Sequence, residues 1–302
     1  MGCLRDDVTF RESIRRTETH RTVATCINVF QSGEDRHVRL MENPLRRALL
    51  TLLFAVSFVL SASLGEAGVS PSNQSEAAIR FQAVDGLARQ TRTQGDLPRW
   101  SNPDHAEVLA QFWDVQATVG TPPYVSADLP ALLATADRAG ALYKTYVLFT
   151  PQSAAVPDTS ANTSKYQDEI ARAAAYLLRV QAAELEAIAD FVTTIPAAEM
   201  TKPRRTGLQQ MRLGINEMVT GAVLMLRSPG LHTANRNILL NSLADIAATM
   251  SASTPPADRA AMIAQIEAVL PVLAGPEREN ALAFKSAFER KECTGLCAVE
   301  AQ

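Results

Sequence analysis

Alternating runs of Val, Ile and Thr, the mark of half-buried strands, are missing from this chain of 302 residues, and their absence argues against a sheet. Without a strand there is no strand–glycine loop–helix unit to cradle a phosphate. From Gly68 onward a Glu-x-x-His pair, needed for a di-iron site in a helical bundle, does not occur. There is no Cys-x-x-Cys for zinc and no Gly-x-Ser-x-Gly around a nucleophile. No metal, cofactor or catalytic set is therefore implied. Net charge is only −3, which gives no bulk attraction to nucleic acid or to an anionic membrane. Aromatic residues are sparse at 6 %.

What is present is apolar and helix-forming. Hydrophobic residues make up 47 % of the chain, enough for a substantial core. Alanine is abundant, which suits helices packed closely on one another.

The first third has its own logic. Residues 1–40 are polar and mixed in charge, with no sustained apolar period. Met41-Glu-Asn-Pro-Leu-Arg46-Arg47 then precedes an apolar run, Ala48 to Leu60, followed by small residues from Ser61 to Gly68. A basic segment, a short apolar segment and a small-residue zone in that order make a secretory signal peptide. The run is short for a span, which needs about 20 residues. We therefore expect residues 1–40 to be an unstructured extension upstream of a true initiator at Met41, and 41–67 to be a signal peptide cleaved after Ala67 or Ser63. The protein is then exported, to the periplasm or the extracellular space. Membrane attachment follows only if 41–67 is retained as an anchor. From Gly68 onward the chain keeps two histidines, His105 and His232, and two cysteines, Cys293 and Cys297.

Helical spacing and caps continue to the C-terminus. A first helix is expected over 75–90, with Ile79, Ala83, Val84 and Leu87 facing inward. Asn102-Pro103 is a helix start, with Asn as cap and Pro in the first turn. Gly120 and Pro122-Pro123 stop that helix, and another follows Asp128 as far as Pro151. Residues 152–163 read as a linker between an N-terminal helical subdomain, 68–151, and a C-terminal bundle subdomain, 164–302. Ser164 and Gln167 suggest a capping box for the longest helix. Its apolar positions, Ile170, Ala174, Leu177, Gln181, Leu185, Ile188 and Val192, keep alternating three- and four-residue spacing up to Pro196. Glu184, Glu186 and Asp190 read as its solvated face, with Asp168 and Arg172 as a supporting pair. Further helices are expected from Pro203, Thr233, Pro255 and Gly275. The fold class is all-α, an up-and-down bundle of about seven or eight helices, two of them long.

The helix from Pro203 carries the one unusual pattern. Gly207, Gly214 and Gly221 alternate with Met211, Met218 and Met225, so two stripes recur every seven residues. Glycine admits a close neighbour and methionine adapts to one. The stripes are a candidate groove for a partner protein or an apolar small molecule. The reading expected first is a seam packed tightly on the long fourth helix, since apolar heptads are usually seams. Lys202, Arg204 and Arg205 at the start of the same helix form a candidate anion site with its free amide groups. Cys293 and Cys297 are spaced for a disulfide, the default in an oxidising compartment. All five tyrosines and both tryptophans lie between residues 100 and 176.

The reading that follows is an exported helical bundle that binds a partner protein or apolar ligand without catalysis. The alternatives are an enzyme with a pocket near residues 100–176, using His105 or His232, and a membrane-anchored structural protein.

Overall fold

A computed structural model describes residues 68–151 and 153–300. The extension and signal segment expected over 1–67 lie outside the described residues. Those that are described belong to one compact unit, Leu64–Gln302.

The unit is all-helical. Eight helices of ten residues or more are α1 (Pro71–Arg92), α2 (Pro103–Phe112), α4 (Leu129–Val147), α6 (Gln167–Thr194), α7 (Lys202–Leu226), α8 (Thr233–Ser253), α9 (Pro256–Glu267) and α10 (Gly275–Phe288). Three shorter ones join them: α3 (Val115–Val119), α5 (Thr159–Lys165) and α11 (Leu296–Glu300). The only bridge outside helices, among the described residues, pairs Gly68 with Thr121.

Caps account for several starts. Asn102 accepts from the Asp104 amide at the head of α2, and Asp114 caps α3 by accepting from Ala117. Gly120 ends α3 at φ +85°, and a Cβ there would sit 2.2 Å from the Gly68 carbonyl oxygen. Only glycine serves at that crossing. α1 begins earlier than expected, at Pro71, because Ser70 and Asn73 form a reciprocal capping box. Its inner face is also one stripe round from the expected one. Ala77, Val84, Ala88 and Thr91 are buried, whereas Ile79 is 59 % exposed. Small residues at the inner positions let α1 lie close to α2, α3 and α4.

The hub is α6, 28 residues and about 42 Å long at 1.5 Å per residue. Ala171, Ala173, Ala174, Ala175, Ala183 and Ala187 are all buried, so neighbours pack on more than one side of it. α4 runs antiparallel to it. The turn before α4 meets Glu186 and Asp190, while the Tyr146 ring near its end lies 5.5 Å from Tyr166. α8 runs parallel to α6, since Asn235, Ser242 and Asp245 meet Asp168, Ala175 and Arg179 in that order. α7 makes the return crossing between them. The sequence-adjacent pair is thus not the closest one, although the bundle class stands.

The expected capping box at Ser164 and Gln167 does not form. Ser164 belongs to α5, which occupies part of the expected linker and is capped by Asp158. The Gln167 carboxamide oxygen instead accepts from the His232 amide at 2.8 Å, and Asn235 donates to it at 3.3 Å. It caps α8, 65 residues away in sequence. One apolar cluster joins Phe112, Tyr146 and Tyr166 to Leu178, Val223 and Leu239.

Candidate functional site

The buried side of α7 comprises Leu208, Ile215, Met218, Val219, Ala222, Val223 and Leu226. Leu208, Ile215 and Ala222 each follow a glycine, about 100° further round the helix. The glycines therefore face away from the core. Gly214 is exposed, with Gly207 and Gly221 half-buried. Among the described residues, a Cβ at Gly214 or Gly221 would meet nothing within 4 Å. Met218 is buried, while Met211 and Met225 are partly buried against the core. Leu213, further round, is 52 % exposed. The tight seam expected between the glycines and the long helix is not formed. α4 and α8 already flank α6, and α7 presents its larger aliphatic residues inward. Gly214→Ala is accordingly expected to raise stability by about 1 kcal/mol through helix propensity. A thermal melt checks this, and a lowered midpoint would mean the position is packed after all.

The basic turn at the head of α7 is folded back on itself. Arg204 donates to the Glu199 carbonyl at 2.6 Å and approaches its carboxylate at 3.3 Å. Arg205 donates to the Met200 carbonyl at 3.3 Å. Lys202 is exposed. An anion bound there would have to compete with these carbonyls for two of the three cations.

The aromatic-rich segment builds a clamp around residues 96–105. Tyr146 donates to the Pro98 carbonyl at 2.9 Å, and Tyr166 donates to the Asp96 carboxylate at 2.6 Å. Lys165 pairs with Asp96 at 2.9 Å. The Glu169 carboxylate, buried in the first turn of α6, accepts from the Trp100 amide and has Arg99 beside it at 3.8 Å. Burial raises Glu169 above the usual carboxylate range, against the Trp100 amide and Arg99, which lower it. Burial also opposes ionisation of Asp96, but the bonds from Tyr166 and Lys165 outweigh it and lower its pKa. Arg172 does not pair with the Asp168 carboxylate as expected. It donates to the Asp168 carbonyl at 3.1 Å, and its guanidinium lies 3.9 Å from the Trp100 ring centroid.

The two histidines lie on different parts of this surface. His105 Nδ1 accepts from the Arg99 amide at 3.1 Å, with Asn102 at 3.4 Å from Nε2. His232 Nδ1 lies 3.6 Å from the Asp168 carboxylate on an exposed ring. Among the described residues no three His, Cys, Asp or Glu side chains are grouped to hold a metal ion.

Four buried charged residues were missed or misplaced by sequence reasoning: Glu169, Glu184, Arg259 and Glu277. Glu184 is only 4 % exposed, so it is not on a solvated face. Burial, with the charge of Asp137 adding, pushes it up to about 8, and among the described residues its Oε1 has no hydrogen-bond partner. Glu186 and Asp190 are also engaged, accepting from the Tyr124 amide at 3.2 Å and the Ser126 amide at 2.8 Å. A signal for Glu184 existed. Leu177, Gln181, Glu184 and Ile188 share the 4-3-4 spacing of the buried stripe.

Cys293 and Cys297 meet as a disulfide, with Cα atoms 5.2 Å apart. Native protein alkylated without reductant is expected to show neither thiol modified, and both after reduction. Free thiols before reduction would contradict the bond.

Comparison with protein-family models, curated proteins and solved structures finds no match for this chain. Among the described residues no helix is long and apolar enough to cross a membrane.

Proposed function

We propose that this is an exported, non-catalytic helical-bundle protein, periplasmic or extracellular, which binds a helix of a partner protein along the outer edge of α7. The observation that carries the binding reading is the openness of the glycine stripe. Each glycine inside a helix costs about 1 kcal/mol relative to alanine. At Gly214 and Gly221 no contact among the described residues offsets that cost. A second helix lying along Gly207, Gly214 and Gly221 would approach closely and gain dispersion contacts. Met211 and Met225 beside it would adapt to the partner's side chains, and Leu213 would be covered. Export rests on the ordered basic, apolar and small segments after Met41, and the cystine at the C-terminus suits an oxidising compartment.

The test uses the full-length gene expressed in its own host. Wild type and Gly214→Leu/Gly221→Leu are purified from the same fraction. The variant is expected to fold, with an unchanged or raised midpoint, and to lose a protein that copurifies with wild type. If both retain the same proteins, α7 is not the docking helix. N-terminal sequencing of the native protein should begin near Gly68, and a terminus upstream of Met41 would refute export.

A further inference from the structure

The last described residues form a latch. Thr294 donates its amide to the Ala252 carbonyl near the end of α8 at 2.8 Å. Gly295, at φ +51°, presses on α6 so closely that a Cβ there would lie 3.1 Å from the Ala189 Cβ. Leu296, Cys297 and Val299 are buried, and α11 packs on α6, α7 and α8 together. Arg259 ties the preceding strand of chain down through the carbonyls of Arg290 and Glu292. The disulfide joins two unlike positions. Cys293 is exposed, whereas Cys297 lies inside the junction.

That asymmetry dictates the order of any exchange reaction. A thiolate must reach one sulfur, and the other leaves. Solvent gives access to Cys293, while the junction shields Cys297 for as long as α11 is docked. We propose that Cys293 is a site of thiol–disulfide exchange with an external dithiol, and that exchange there unlatches α11 from the α6–α7–α8 junction. In the first step the dithiol's thiolate attacks Cys293 Sγ. A bond forms between those two sulfurs, the Cys293–Cys297 bond breaks, and Cys297 departs as a thiolate that takes a proton. The second thiol of the reductant, as thiolate, then attacks the reductant's own sulfur in the mixed disulfide and releases Cys293 as a thiolate. The protein gains two electrons and two protons, and the dithiol becomes a disulfide. With the ring opened, the turn from Cys293 to Cys297 is no longer covalently closed, so α11 detaches more readily. The apolar surface under Leu296 and Val299 is then uncovered. This inference does not depend on α7 binding a partner.

The experiment uses the full chain and two reagents. Brief exposure to glutathione, followed by quenching with N-ethylmaleimide and peptide mapping, is expected to give glutathione on Cys293 and maleimide on Cys297. Full reduction with dithiothreitol is expected to speed hydrogen exchange at the Cys297 and Val299 amides by roughly tenfold or more, in line with opening a small covalent loop. Amides in the middle of α6 should not change. The Cys293→Ser/Cys297→Ser variant should behave as the reduced protein does. Should that variant fail to fold, the reduced wild type gives the same readout. Glutathione mainly on Cys297, or exchange at α11 unaltered by reduction, would overturn the proposal.

Discussion

Glu184→Gln is expected to stabilise the protein by about 2–4 kcal/mol at pH 7 and to flatten much of its pH dependence. In the native bundle the Glu184 carboxyl is shielded by α6 and its neighbours and titrates at about 8. In the unfolded chain it titrates near the usual glutamate value, about 4.3. Between those values the native state keeps a proton that the unfolded state has released. Stability therefore falls as pH rises through that window and levels off beyond it. Each pKa unit is worth about 1.4 kcal/mol, so the fall over the whole window is roughly 3–5 kcal/mol. Glutamine has nearly the same shape and does not titrate, though its own buried amide offsets part of the gain. Burial raises Glu169 and Glu217 in the same direction, so the variant should retain a shallower slope. Denaturant unfolding at pH 5 and pH 8 measures the difference. A wild type equally stable at both would mean that the carboxylate finds a partner when it ionises.

Arg259→Met is expected to cost about 3–5 kcal/mol, because charged hydrogen bonds are worth about 1.5–3 kcal/mol each and orphaned carbonyls add a penalty. Arg259 is 6 % exposed. Its Nε donates to the Thr254 carbonyl at 2.6 Å, and its two terminal nitrogens donate to Arg290 and Glu292. Thr254 is the C-cap of α8, and Arg290 lies just past the end of α10. One guanidinium thus serves the negative ends of two helices that leave carbonyls unpaired. Methionine fills comparable volume but donates nothing. Arg259→Lys keeps the charge but not the planar fork, and should fall between the two. Equilibrium unfolding of all three proteins gives the ranking. A lysine variant as weak as methionine would show that geometry, not charge, dominates.

The elements that were legible in the sequence are those decided locally. Asn102-Pro103 starts a helix because the cap and the ring act within one turn, and Gly120 ends one because its φ is positive. The cysteine spacing is local too. What was not legible depends on distant partners. Spacing in α1 allows either Ile79 or Ala77 to face inward, and close packing on α2, α3 and α4 selects the smaller residue. Gln167 has the right spacing for a local cap, yet its oxygen serves the His232 amide on another helix. Charge types suggest that Glu184 and Glu186 share a wet face. An alanine-rich helix buried on most sides has little such face, so one is trapped and the other caps a loop amide. The glycine stripe was visible as a pattern. Which way it faces was decided by the larger residues one position further on.

Photo-crosslinking from position 214 of the full-length protein in its native host tests the docking role of α7 most directly. A photoreactive residue there, with a second at the exposed Arg89 on α1 as control, is irradiated before extraction. The expected result is a discrete heavier species from position 214 and none from position 89. No adduct at 214, or the same pattern from both positions, would contradict the assignment of α7 as the partner-binding helix.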